Sequence, residues 1–226
     1  MFSDELYSTS AGKSQNLFRG DATFFFGKIR KVLKGSPYSQ FGEDVFLSNL
    51  LGMKGIKETS YLDLGAGHPI IGSNTFWMYR RGASGIVVDA NKFLIDKHRR
   101  IRPRDQQVFA VVGGYEGIVD FDISSNWSFS KRSDLSEKLH YIETVSVNQI
   151  SVQSLVDMFS TTDKWLLNLD VEGLEVEILE NLSFAKAKPM LCLIETTKSS
   201  QTKIDCLMNK WDFRILTKLG MTSIYT

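Results

Sequence analysis

Tyr61-Leu-Asp-Leu-Gly-Ala-Gly-His-Pro69 is a short apolar run that stops at two glycines one residue apart. Residues 61–64 suit a buried strand, and Gly65 and Gly67 suit a tight turn that lets a ligand approach the backbone. A second run, Gly85-Ile-Val-Val-Asp89, ends in an acid 22 positions after Gly67. An acidic side chain at the end of the second strand of such a unit accepts both hydroxyls of a ribose. These two runs together predict a strand, a glycine turn, a helix and a parallel strand.

The same rhythm continues outward. Further strand-like runs lie at 107–112, 165–170, 190–195, 213–217 and 221–225, with helical patterns at 42–51, 74–81, 93–102, 152–159, 174–181 and 203–211. Short continuous apolar strands, each fed by a helix, indicate an α/β fold: a doubly wound, mostly parallel seven-stranded sheet covered on both faces. Lys218-Leu-Gly220 between the last two runs predicts an antiparallel C-terminal hairpin. Residues 113–150 break the rhythm and read as an inserted hairpin with a loop, the usual place for substrate specificity.

The 226 residues carry 27 Lys and Arg against 26 Asp and Glu, so no global field recruits nucleic acid. Two cysteines are too few for a secreted disulfide framework, which places the chain in the cytoplasm, and no apolar run is long enough to span a bilayer. Residues 1–36 form a separate N-terminal extension ahead of the domain at 37–226. Its stretch from Arg19 to Lys34 has five basic residues against Asp21 alone, with Phe25, Ile29, Val32 and Leu33 at helical spacing. A packed helix with a solvated basic edge is the plain reading, and a peripheral membrane or glycolipid contact is the alternative.

The glycine turn admits two nucleoside ligands. A dinucleotide site wants a third glycine where Ile70 stands, Pro69 interrupts the turn, and the next helix starts too late to aim its N-terminus at a pyrophosphate. A cofactor with an adenosine and no phosphate fits better, and S-adenosyl-L-methionine is the common one.

The sequence resembles the FkbM-type S-adenosylmethionine-dependent methyltransferases in Ser39-Gln-Phe-Gly-Glu-Asp44, Leu62-Asp-Leu-Gly-Ala-Gly-His-Pro69, Ser73-Asn-Thr75, Arg81-Gly-Ala-Ser-Gly-Ile-Val-Val-Asp89-Ala-Asn91 and Leu169-Asp-Val-Glu-Gly-Leu-Glu175. The resemblance implies a class I methyltransferase fold, Rossmann-like, and O-methylation of a hydroxyl, often on a sugar. It also implies that Gly65, Ala66 and Gly67 lie against the methionine part of the cofactor. Asp89, beside Ala90, holds the ribose, and Ala110 borders the adenine. Asp63 fixes the glycine turn or reaches the cofactor's amino group through water, while Gln40 and Glu43 come from an N-terminal helix that covers the cofactor.

Three acids mark the other half of the site. Asp170 and Glu172 are i and i+2 at a strand end, and Glu195 ends the neighbouring strand. A sugar hydroxyl is a poor acid, so a base removes its proton during attack or a divalent cation lowers its pKa. Asp170 and Glu195 are candidate ligands for Mg²⁺ or Mn²⁺; Glu172 and His68 are candidate bases without metal. Glu175 reads as a favourable charge in the first turn of a helix, while His98 and His140 read as surface residues. Arg80, Arg81, Arg99, Arg100, Arg102 and Arg104 read mostly as solvated helix faces, with Arg102-Pro-Arg-Asp105 a tight connection to the third strand and a phosphate- or uronate-bearing glycan as the alternative. Trp127 and Phe129 suit stacking on a sugar. The leading expectation is therefore methyl transfer to a saccharide or glycoconjugate acceptor. A non-enzymatic binding module and a nicotinamide-dependent oxidoreductase are the alternatives.

Overall fold

The computed structural model describes residues 37–54, 59–124, 130–135, 141–162 and 164–226. The 1–36 extension, Trp127, Phe129 and His140 lie outside the described residues. Strands β1 (Ser60–Leu64), β2 (Gly85–Asp89) and β3 (Gln106–Phe109) alternate with helices α1 (Glu43–Met53), α2 (Phe76–Arg80) and α3 (Lys92–Ile101). Next come β4 (Val111–Gly113), β5 (Gly117–Ser124), β6 (Lys131–Arg132), a 3₁₀ turn at Ser133–Leu135, β7 (Tyr141–Ser151) and α4 (Val152–Asp157). The chain closes with β8 (Trp165–Leu169), α5 (Glu175–Glu180), β9 (Leu191–Glu195), α6 (Gln201–Asn209), β10 (Ile215–Leu219) and β11 (Thr222–Tyr225).

The main sheet has seven strands in the order β10-β11-β9-β8-β1-β2-β3. It is mixed: β1 runs parallel to β2 and β8, β2 to β3 and β8 to β9, while β11 runs antiparallel to both β9 and β10. The chain winds from β1 outward to β3 and then returns to the far side of β1 as β8. The winding therefore reverses between β1 and β8, and the loops after these two strands flank the crevice where such sheets take ligands. Burial on both faces explains the unbroken apolar runs: every residue of β8 and all but the last of β9 is buried.

Alternation along β1 divides the core. Leu62 and Leu64 pack on one face with Trp165, Leu167 and Ile178, while Tyr61 packs on the other with Leu47, Trp77 and Leu166. Asp63 shares the side of Tyr61.

The expectations at 107–150 need two corrections. The run at 107–112 is not one strand, because Ala110 separates β3 in the main sheet from β4, which pairs with β7. The insertion is also more than a hairpin: β4, β7, β5 and β6 form a second, four-stranded sheet. Its long strand β7 covers 11 residues, where the apolar alternation alone marked only Thr144–Val147. Polar residues carry the remainder because one side of that ladder faces water.

Candidate active site

The loop after β1 is held before any ligand arrives. Gly65 and Ala66 donate their amides to the Val88 carbonyl, and the Gly67 amide donates to Asp89 Oδ2 at 2.8 Å. Gly65 has φ +75°, and a Cβ there would lie 1.7 Å from the Asp170 carbonyl oxygen. That glycine is therefore demanded by the neighbouring strand end as well as by the turn. Gly67 also has positive φ, +57°. Its carbonyl oxygen pairs with Nε2 of His98 at 3.1 Å.

His98 and Arg102 correct the surface reading of α3. Both are fully buried. Leu94, Ile95, His98 and Arg102 follow one another at helical spacing on the inner stripe, and Asn91 caps the helix by accepting the Phe93 amide. The Arg102 guanidinium donates to Asp105 at 2.7 Å, Thr75 at 3.0 Å and Ser73 at 3.3 Å, while Tyr61 donates to Asp105 at 2.6 Å. Asp63 joins this network by accepting from Thr75 and, at 2.9 Å, from Asn168. Burial pushes its carboxyl upward against the pull of Arg102. Both Asp63 oxygens are thus engaged in this buried network, and Asp63 is not among the residues that line the cleft over the β1 and β8 ends.

A cleft of about 970 Å³, open mouth included, lies over the β1 and β8 ends. Gly65, Ala66, Gly67, Asp89, Ala90 and Ala110 line one part of it. Asp170, Glu172 and Glu195 line another, and Gln40 and His68 complete the sequence-derived set. The further lining includes Val111, Phe121, Ser130 and Arg132 from the second sheet and its connection, which the sequence reading missed. Only their membership in the insertion could have flagged them.

Asp89 is half-buried and accepts the amides of Gly67 and Asn91, one on each oxygen. Burial raises its pKa to about 6, and one lone pair per oxygen remains for a diol. His68 is buried, and its Nδ1 accepts the amides of Ile70 at 3.2 Å and Ile71 at 3.1 Å. Burial and Lys97 push its pKa down to about 4, so it fits the role of a loop fastener better than that of a base.

Gln40 projects from a strap, residues 38–42, that precedes α1. Ser39 bridges to Gly72, the Gly72 amide donates to the Tyr38 carbonyl, and Asp44 accepts from the Tyr38 amide and Ser39 hydroxyl. At the other end the Phe41 ring lies against Gly220, and Glu43 accepts from the Phe41 amide and the Thr222 hydroxyl. Glu43 is thus buried and fastens the strap without lining the cleft.

The acids do converge, through a turn and not through strand alternation. β8 ends at Leu169, and Glu172 adopts φ +56°, a left-handed backbone uncommon for a residue with a side chain. Glu175 is buried and accepts from the amides of Val171 and Gly173, which fixes this turn. Burial raises Asp170 well above the usual range, with repulsion from Glu195 next, and the two carboxyls are hydrogen-bonded. Burial, then repulsion from Glu195 and Glu175, raises Glu172 to about 8. Asp170, Glu175 and Glu195 bring carboxylate oxygens within 4.8 Å of one another, a grouping that adds Glu175 to the two residues expected from sequence.

The Methyltransferase FkbM domain family matches residues 63–215, a span from Asp63 on β1 to the start of β10. The chain belongs to the FkbM methyltransferase family. Its members use S-adenosylmethionine, and the residues present fit that cofactor: a phosphate-free glycine turn, a half-buried acid with free lone pairs, and small Ala90 and Ala110 side chains beside it. No curated protein matches the chain. Among solved structures, a TehB-like SAM-dependent methyltransferase from Corynebacterium glutamicum aligns over 92% of this chain and 98% of its own. The two share 14% identity, with a TM-score of 0.44.

Proposed function

We propose that this FkbM-family methyltransferase has a class I methyltransferase domain and transfers methyl to a hydroxyl oxygen of a saccharide, as part of a glycan, lipopolysaccharide or glycosylated metabolite. The observation that carries the reading is the position of Glu172. This acid is held in a left-handed turn on the wall of the same cleft as Gly65, Gly67 and Asp89, and its pKa of about 8 suits a group that accepts a hydroxyl proton. The strand order, reversing at β1, supports the class I assignment.

S-adenosylmethionine supplies an activated methyl group and its own leaving group. Asp89 would take the ribose hydroxyls, Gly65–Gly67 would pass beneath the methionine part, and Ala90 and Ala110 would leave room for the adenine. Glu172 would accept the proton of the acceptor hydroxyl, and the bound cofactor would supply the methyl group to that oxygen with its sulfur as the leaving group. The Asp170–Glu195 pair, sharing a hydrogen bond, orients the acceptor beside Glu172. A cation held by Asp170, Glu175 and Glu195 is a second reading, favoured by their mutual distances. The two free thiols support a cytoplasmic location. No helix among the described residues is long and apolar enough to cross a membrane.

Calorimetric titration with S-adenosylhomocysteine tests the cofactor assignment, with NADH as the control. Wild-type protein binds the former at micromolar concentration, and Asp89→Ala weakens it about 100-fold through loss of a charge-assisted diol contact. Equal affinity in a folded variant would remove Asp89 from the site.

A further inference from the structure

The chain is nearly neutral, with 27 Lys and Arg against 26 Asp and Glu, yet one face of it collects cations that nothing neutralises. Between Asp89 and Asp105 the one acid is Asp96, and it is matched by Lys92 at 3.0 Å and Arg99 at 2.7 Å. Asp105 is buried against Arg102, and Asp89 lies in the cleft. Arg80, Arg81, Arg100 and Arg104 are all exposed, and among the described residues none of the four forms an ion pair. Rings hold three of them instead. The Arg104 guanidinium lies over Tyr79 at 3.8 Å and donates to the Tyr79 carbonyl, which joins the turn after α3 to α2. Arg81 lies over Trp77 at 5.3 Å, and Arg80 over Tyr38 at 5.9 Å. An aromatic face fixes a cation without cancelling its charge, whereas buried Arg102 and Arg132 are both matched by carboxylates. Apolar side chains stand among these cations: Phe93, 44% exposed with Lys97 over its ring at 4.4 Å, and Ile101, 38% exposed. Phe93, Lys97 and Arg100 follow at i, i+4 and i+7 on the side of α3 turned away from buried Leu94, Ile95 and His98.

We infer that this face, Phe93 to Arg104 together with Arg80 and Arg81, is a contact surface for a bilayer rich in anionic phospholipid. Basic side chains near such a surface gain from its negative potential, and Phe93 and Ile101 gain from the boundary between headgroups and acyl chains. The aliphatic Ile101 finds no stacking partner on a polynucleotide, which favours lipid over nucleic acid. The face adjoins the cleft, because the charge of Lys97 acts on His68, a residue of the cleft wall. None of the four arginines lines the cleft itself, so they do not build the phosphate- or uronate-binding acceptor site that the sequence offers as an alternative. The contact sets the cleft beside the membrane. It fixes where the methyltransferase works, not which acceptor it takes.

The experiment uses the full chain in co-sedimentation with phosphatidylcholine vesicles, with and without about one-third phosphatidylglycerol. The protein binds the anionic vesicles at least about tenfold more tightly than the neutral ones, and the gap shrinks at high salt. Arg81→Gln/Arg100→Gln, which keeps Arg104 on Tyr79, weakens that binding about 30-fold, and adding Arg104→Gln takes the loss to about 100-fold or more. Phe93→Ser/Ile101→Ser lowers the binding that survives high salt about tenfold. Each variant keeps the thermal transition of the wild type as proof of folding. Equal binding to neutral and anionic vesicles, or binding to neither, overturns the surface. So does undiminished binding in the arginine variants, which would move the contact to residues 1–36. A single-stranded RNA of about 20 nucleotides that binds more tightly than the vesicles, with vesicle binding unchanged in Phe93→Ser/Ile101→Ser, would make this a polynucleotide surface and overturn the lipid contact.

Discussion

Glu172 is held where few side chains go, and its conformation and its proton affinity make linked predictions. A base of pKa about 8 is mostly protonated at neutral pH, so the methylation rate climbs about tenfold per pH unit up to roughly 8 and is flat above it. Glu172→Gln removes that slope and lowers turnover about 100-fold or more, with S-adenosylhomocysteine affinity within about threefold of wild type. A steady rate with the slope intact would transfer the proton to another group. The cation reading has a separate check at this scale: EDTA abolishes turnover and Mg²⁺ or Mn²⁺ restores it, whereas activity indifferent to both leaves Glu172 as the base. The glycine-loop half of the cleft was legible because its residues sit at or just after strand ends: Gly65, Ala66, Gly67, Asp89, Ala90 and Ala110 all line the cleft. Asp63 sits two positions before Gly65, where strand alternation turns it toward Tyr61 and the network of Thr75 and Asn168, a contact the local sequence does not announce. His68 was placed at the cleft by its position, but only its backbone partners show that it fastens the loop.

At the scale of the element, α3 is a helix whose inner stripe ends in charge. Arg102 and Asp105 are a fully buried pair, and removing one member leaves the other uncompensated in a low-dielectric setting. Arg102→Met should destabilise the protein by about 3–5 kcal/mol in denaturant unfolding, and Arg102→Met/Asp105→Asn should recover part of that. A loss below about 1 kcal/mol would show that the network does not hold the sheet as described. Positions 94, 95, 98 and 102 share one helical face, but the expectation that a histidine belongs to water hid it, and the burial of His98 is what ties the turn at Gly67 to the helix beneath it. The second sheet was less legible for a different reason. Its ladder pairs β4 with β7 across 38 residues of sequence and β5 with β7 across 17 to 32, and one face is wet, so local apolar alternation marks only its middle.

Across the whole domain from residue 37 onward, both sheets share one apolar cluster, which joins Phe121 and Val147 of the insertion to Val88, Leu155 and Leu169. The domain is expected to melt in one transition with equal calorimetric and van't Hoff enthalpies, and a separate early transition for the insertion would contradict a shared core. The raised acids set the pH dependence of that transition. Asp89 and Glu172 hold protons in the folded protein that the unfolded chain has released, between their ordinary values near 4 and the folded values of about 6 and 8. Their contribution is therefore full below about pH 4 and is lost as pH rises through 6 and 8, so Tm falls across that window. Glu172→Gln flattens its upper part.

The strap at 38–42 gives the cycle a clock. It is moored at Gly72 on one side and at Gly220 and Thr222 on the other, with Gln40 on the cleft wall between the moorings. A spent cofactor that left past Gln40 would need those moorings to part, and pre-steady-state kinetics would then show a burst, the first turnover faster than those that follow; a first turnover no faster than the rest would take the strap out of the cycle.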